Sequence, residues 1–336
     1  MKLSYSNGNE WLKILLYSII SAYIVYQQAT HTDAITLQVQ LERHEHKLAG
    51  DSEFFNPWQY RILSTYIMEA FARTVHAVMP SIDSIKSFLV LRFLQNILVF
   101  MLAGLYFKRL GILNPWLRLS GILILGFCMA HSVFASDLSV NTYFDIVFYL
   151  VAAILILDKK YVWLIPLSFF ASLNRETSAL IPAMLVIPAF DWKKRTIDRK
   201  ILTIGVAAGV AYAIAFVGVR LYFGYQPPIG VKGMTSFSEF IFFNLTFKRM
   251  YFQMIGTLAF LPIITILFLG KLSPQLRAWF WIMVPIWFII HFCYSAAVES
   301  RLFLVPQSLI FVPAFLQIIN HWYSGNNSAS AASANT

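Results

Sequence analysis

The stretch NTYFDIVFYLVAAILILDKKYVWLIPLSFFASLNRETSALIPAMLVIPAF, residues 141–190, decides how the chain is read. It opens on polar residues and an acid, Asp145, and then runs without a charge from Ile146 to Leu157. An uninterrupted apolar run of this kind suits the interior of a bilayer. Asp158, Lys159 and Lys160 end it with the short basic turn expected of a cytoplasmic connection. Two further apolar segments follow, 161–173 and 177–190, split by Asn174, Arg175 and Glu176. Each arm rises only about 20 Å at 1.5 Å per residue, against a hydrocarbon core of about 30 Å. The tip of this hairpin, with Arg175 and Glu176, should therefore lie below the membrane surface. An ionisable pair at that depth is costly unless it faces a polar cavity. Either Arg175 grips an anionic group such as a phosphate through its planar fork, or Arg175 and Glu176 form a structural pair.

The rest of the chain has the same character. Hydrophobic residues make up 58 % of it and charged residues 12 %, where an ordinary soluble domain carries about 25 % charged residues. Mean hydropathy is +0.65. A soluble fold would lack a polar surface. Ten apolar segments are expected to cross: 11–27, 86–107, 116–135, 141–157, 161–173, 177–190, 201–223, 251–269, 278–297 and 302–319. The expectation is an all-α, polytopic transmembrane bundle of about ten spans. It forms one domain over 1–323, with outer loops at 29–85 and 224–250 and a Ser/Ala/Asn-rich disordered tail at 324–336. The first segment has no convincing cleavage site after it and is read as a retained helix.

The net charge of +10 does not argue for nucleic acid, since cytoplasmic loops can account for much of it. Lys108-Arg109, Lys159-Lys160, Lys193 to Lys200, and Lys271 with Arg277 all fall on one side of the membrane. That side is cytoplasmic if the N-terminus is, and both termini then lie there, with both long loops outside. Cys128 and Cys293 sit inside expected spans, so neither a disulfide framework nor thiol chemistry has support.

The first outer loop is patterned. Apolar residues recur at helical spacing from Trp58 through Ile62, Tyr66 and Phe71 to Val78, which predicts an amphipathic helix over 58–79 lying in the outer interface. Asn141 and Asp145 are four apart and share a helix face. Glu299 and Arg301 occupy a short outer turn, and with Arg61 and Arg175 they would line an outer cavity of mixed charge. Asp33, six residues after the first span, is the acid held nearest the membrane mouth. A carboxylate there can deprotonate a hydroxyl as a general base; Asp51 and Glu53 compete for the role. His44-Glu45-His46 has metal-binding residue types, but two histidines without further ligands are a weak signal, so neither metal nor cofactor is expected.

These pieces together resemble one pattern. An acid follows the first span; an interfacial helix begins with Gln59-Tyr60-Arg61-Ile62-Leu63; an Asp lies at the outer end of a span, in Asn141-Thr-Tyr-Phe-Asp145; and Leu173-Asn-Arg-Glu-Thr-Ser-Ala-Leu-Ile-Pro182 follows a basic turn. Residues 10–190 resemble the bacterial members of the GT-C superfamily of integral-membrane glycosyltransferases. The resemblance implies a polyprenyl-phosphate-linked sugar as donor, a first-loop acid (here Asp33, with Asp51 and Glu53 as alternatives) as catalytic base, and Arg61 and Arg175 as phosphate ligands. Asp145, Glu176, Glu299 and Arg301 join them as substrate-binding candidates. It implies a bacterial inner (plasma) membrane location with the active site facing the periplasm, and membrane lipids as surroundings. This chain departs from many relatives in lacking a clear acidic pair and a soluble domain after the last span. Two other classes compete: a polysaccharide polymerase or ligase of the O-antigen type, and a small-solute transporter, which should show repeated halves and broken helices at a midplane site. Only one interrupted hairpin is visible in the sequence.

Overall fold

The computed structural model describes residues 6–31, 37–49, 58–133, 139–191, 194–224, 234 and 236–333, and nearly all of them are helical. In chain order, α1 (Ser6–His31) and α2 (Leu37–Ala49) precede a 3-10 turn at Trp58–Tyr60 and α3 (Ile62–Val78). Then come α4 (Ser84–Arg109), α5 (Pro115–His131) and α6 (Val140–Leu157). The short hairpin is α7 (Leu164–Asn174), a 3-10 turn (Glu176–Ala179) and α8 (Leu180–Ala189). A two-residue antiparallel ribbon, β1 (Phe190–Asp191) with β2 (Thr196–Ile197), leads into α9 (Arg199–Phe223). The remainder holds α10 (Phe237–Thr246), α11 (Lys248–Leu258), α12 (Leu261–Leu267) and α13 (Pro274–Tyr294). The last segment winds from a 3-10 turn (Ser300–Phe303) through α14 (Leu304–Pro306) and a π turn (Gln307–Phe311) into α15 (Val312–Ser333).

Local chemistry sets many of these boundaries. The side chains of Asp83, Asn114, Asp198 and Ser273 accept hydrogen bonds from the first-turn N–H groups of α4, α5, α9 and α13, which would otherwise be orphaned. Pro115 and Pro274 sit in first turns, where no N–H is needed.

The all-α class expected from the sequence is present; the count of ten crossings is not established. Among the described residues, five helical segments are long and apolar enough to cross a membrane: α4, α6, α9, α13 and Ser300–Tyr323. A sixth is added if α11 and α12, bent by 68° at their junction, count as one span. The shortfall lies in α1, whose polar residues dilute its apolar run, in α5, and in the two short arms of the hairpin.

Both expected loops contain helices. The amphipathic helix expected over 58–79 is there as a 3-10 turn plus α3, but α2 was not foreseen. Within 224–250, α10 starts at a capping box: Ser236 accepts from Glu239 N–H, and the Glu239 carboxylate accepts from Ser236 N–H. Asn244 on α10 is fully buried. It donates to the carbonyls of Phe292 and Ser295 and accepts from Ala297 N–H, so it shapes the turn after α13. The last helix runs to Ser333.

The core centres on the last segment. Trp287 Nε1 donates to Leu302 O at 2.8 Å, and Tyr106 Oη donates to Leu309 O, inside the π turn, at 2.8 Å. Those bonds satisfy buried backbone carbonyls that the irregular winding loosens. Around this pillar α4 lies along α6, α1 along α4, and α7 along α9.

Candidate functional site

The polar groups gather at one end of the bundle, formed by the starts of α4 and α6 and the ends of α7, α9 and α13. Asp145 is the sixth residue of α6, about 8 Å along its axis, and is fully buried. Asn174 Nδ2 donates to its Oδ1 at 3.0 Å and also to the Asn141 carbonyl at 2.9 Å. Thr177 Oγ1 lies 3.4 Å from Oδ2, as does Arg175 Nη1.

The break in the hairpin makes this arrangement. Arg175 ends α7 with extended backbone (φ −162°, ψ 146°), so Arg175 and Glu176 turn to different partners. Tyr149 Oη donates to Thr177 O at 2.5 Å, and Tyr212 Oη donates to Glu176 O at 2.8 Å. These two hydroxyls pin the irregular backbone from α6 and α9.

Glu176 faces outward from the buried pair. Its Oε2 accepts from Arg61 Nη2 at 2.9 Å and Nε at 3.2 Å, and its Oε1 lies 3.8 Å from Arg220 Nη2. Arg220 stacks on the Phe216 ring and lies over that of Tyr60. The side chains of Arg61, Glu176 and Arg220 are 12 %, 27 % and 28 % exposed, against 5 % for Arg175 and 0 % for Asp145.

Two more arginines complete the cluster. Arg301 donates to Thr142 Oγ1 at 2.8 Å and pairs with Glu299 at 2.7 Å. Arg92, buried in the first half of α4, donates to Ser139 O at 2.7 Å and sits 3.5 Å from the centre of the Tyr143 ring. Four guanidinium groups (Arg61, Arg175, Arg220, Arg301) thus pair with three carboxylates (Asp145, Glu176, Glu299), and with the buried Arg92 as a fifth the surplus is two positive charges. Beside Ser139 and Asn141 a small cavity of about 60 Å³ opens, with Arg43, His44 and Lys47 of α2 on its opposite wall. Chemically, guanidinium groups in such a cluster are able to hydrogen-bond an anion with several acceptor oxygens.

Of the residues singled out in the sequence, Arg61, Asp145, Arg175 and Glu176 come together in two adjoining ion pairs, and Arg301, paired with Glu299, donates to Thr142 of the same helix as Asp145. Arg175 and Glu176 do not pair with each other: Arg175 pairs with Asp145, and Glu176 with Arg61. Asp33, Asp51 and Glu53 lie outside the described residues. Arg92 and Arg220 were missed. Arg92 had a signal, a charge followed by Gln95-Asn96 inside an apolar run; Arg220, near the end of its span, had none. His44 of the His-Glu-His stretch lies with Nε2 3.1 Å from Glu69. Burial lowers its pKa below the usual histidine value, against the pull of Glu69. Among the described residues no cluster of three or more His, Cys, Asp or Glu is placed to hold a metal ion. Comparison of the chain with protein families, with curated proteins and with solved structures finds no match.

Proposed function

We propose that this chain is an integral-membrane glycosyltransferase that moves a sugar from a polyprenyl-phosphate donor to an acceptor on the non-cytoplasmic face. The observation that carries the proposal is the surplus of guanidinium groups in a largely buried network at one end of an apolar helical bundle. A prenyl tail belongs in the bilayer, and its phosphate then arrives at that end. Arg61 and Arg220, at the exposed rim, are the groups that reach the phosphate first; Arg175 lies behind them and supplies field from a site of low dielectric.

The chemistry is a displacement. The acceptor hydroxyl oxygen forms a bond to the anomeric carbon as the carbon–oxygen bond to phosphate breaks. The electron pair leaves with the polyprenyl phosphate, whose growing charge the arginines stabilise. The acceptor proton passes to a carboxylate of the first loop, for which Asp33 is the candidate and Asp51 and Glu53 the alternatives. In this proposal the chain crosses ten times, counting α1, α5, both hairpin arms and the bent α11–α12 as traverses. The basic turns then face the cytoplasm of a bacterial inner membrane, and the arginine cluster faces the periplasm.

The test is native mass spectrometry of the detergent-purified protein titrated with polyprenyl phosphate. Binding that weakens in Arg61→Ala and Arg175→Ala supports the donor site. Absence of binding by folded, lipid-carrying protein overturns it. Asp33→Asn should abolish sugar transfer while leaving donor binding unchanged.

One observation favours a second reading. The α11–α12 junction bends by 68° at Ala259, whose φ is +51°, and so a second broken helix accompanies the hairpin, as a transporter requires. Against it, Asp145 lies about 8 Å from the start of α6, near the end of the bundle and away from its middle. Uptake of a solute by proteoliposomes, with no sugar transfer, would decide for the transporter.

A further inference from the structure

The end of the bundle opposite the arginine cluster carries a second feature. Between the start of α1, the end of α4 and the start of α5 runs an open groove of about 530 Å³, a volume in the range of ligand sites. Gly104 lets α4 approach α1 closely: a Cβ there would stand 3.3 Å from Tyr17 Oη. The walls are apolar, with Met101 and Leu105 on the α4 side.

Its rim is basic. Lys13, Lys108 and Arg118 line the groove, one from each helix, and among the described residues no carboxylate lines it. Arg118 is held in place, since its Nη1 donates to the carbonyls of Ile112 and Leu113 at 3.0 and 2.8 Å. Trp116, 75 % exposed, stands beside the rim, where an indole belongs at the level of lipid headgroups.

We infer that this groove binds one phospholipid with an anionic headgroup. Lys108 and Arg118 hold the phosphate at this rim, and an acyl chain lies along Met101 and Leu105. Charge complementarity selects the occupant: a basic pocket between membrane helices recognises anionic headgroups, whereas a purely apolar groove would take any lipid. The inference rests on the chain being a membrane protein and is independent of its being a glycosyltransferase.

The experiment is native mass spectrometry of purified protein exposed to phosphatidylglycerol and to phosphatidylcholine of identical acyl chains. Two variants accompany it. Lys108→Ala removes one rim charge, and Leu105→Trp fills the groove without touching charge. The expected result is retention of phosphatidylglycerol over phosphatidylcholine, about fivefold weaker in Lys108→Ala, the factor for one basic residue at a lipid surface, and lost in Leu105→Trp. Equal retention of both lipids, or retention unchanged in both variants, overturns the inference. Displacement of the lipid by millimolar inorganic phosphate would overturn it too, because the groove would then recognise the free anion. Recovery of the chain from the aqueous fraction after alkaline extraction of membranes would mark a failure of the membrane reading itself.

Discussion

Arg175 and Glu176 are neighbours in the chain, yet they belong to two different electrostatic settings. Arg175 meets Asp145 in a pair that is almost entirely enclosed, with Asn174 and Thr177 satisfying the carboxylate. Glu176 meets Arg61 and Arg220 at a rim where each partner keeps some exposure. The enclosed pair is a fixed part of the fold, because either charge alone would be stranded in low dielectric. The rim is more exposed, and under the proposed function a ligand phosphate would replace Glu176 as the partner of Arg61 and Arg220. One broken turn of helix separates the enclosed pair from the rim.

Removing one member of the enclosed pair is the most severe way to test this contrast. Asp145→Ala should cost about 3–5 kcal/mol, the usual penalty for leaving a buried charge uncompensated, seen as loss of folded protein in detergent-phase thermal unfolding. The double variant Asp145→Leu with Arg175→Met should recover much of that loss. If the single change costs less than about 1 kcal/mol, the pair is not enclosed and the contrast collapses.

At the rim the order of effects should reverse. Arg61→Ala should cost about 1–2 kcal/mol of stability, the range for a charged hydrogen bond discounted for its partial exposure, yet weaken polyprenyl-phosphate binding about tenfold, equivalent to about 1.4 kcal/mol. Arg220→Ala, whose contact with Glu176 is longer, should move stability by less than about 1 kcal/mol. Donor affinity unchanged in both would remove the rim from the binding site. Tyr212→Phe takes away only the hydroxyl that pins the Glu176 carbonyl, and should cost about 1 kcal/mol.

The smallest effect is expected outside the spans, where α2 docks on α3. His44 has a depressed pKa because burial disfavours its charged form. The unfolded state therefore binds its proton first as pH falls, and the stability His44 contributes, present above about pH 6.5, declines from there toward its lower folded value. Glu69, depressed chiefly by its hydrogen bond from Arg73, acts in the same direction: its contribution is present above the ordinary carboxylate range and is lost on further acidification. Amide protection factors of α2, corrected for intrinsic exchange, should fall between pH 7.5 and 5 and stay flat in His44→Gln.

Much of the candidate site was legible in the chain. Asn174-Arg175-Glu176 declared a break because charges cannot continue an apolar arm, and Asp145 declared itself by preceding one. The capping box at Ser236 and Glu239 is equally readable, since a serine three residues before a glutamate opens an apolar run there. Arg92 was passed over because one charge barely lowers the mean apolarity of a 26-residue helix. The pairing of Arg175 with Asp145 had no local signal, since the partners lie 30 positions apart and only the packing of α7 beside α6 brings them together.

The clearest division between sequence and structure comes from two segments that look alike. The window of α9 has a mean hydropathy of 2.1 and is 22 % buried within the protein; that of Ser300–Tyr323 has 2.0 and is 83 % buried. The amino-acid sequence by itself determined that both avoid water, and where charges and caps interrupt them. Which of them became the central pillar and which the outer wall was decided only by tertiary packing. Lipid chains are as apolar as a leucine side chain, so hydrophobicity sorts segments from water but does not sort them from one another. That choice falls to shape, to close helix approaches such as Gly256 against His131, and to the few hydrogen bonds that one neighbour can make and another cannot.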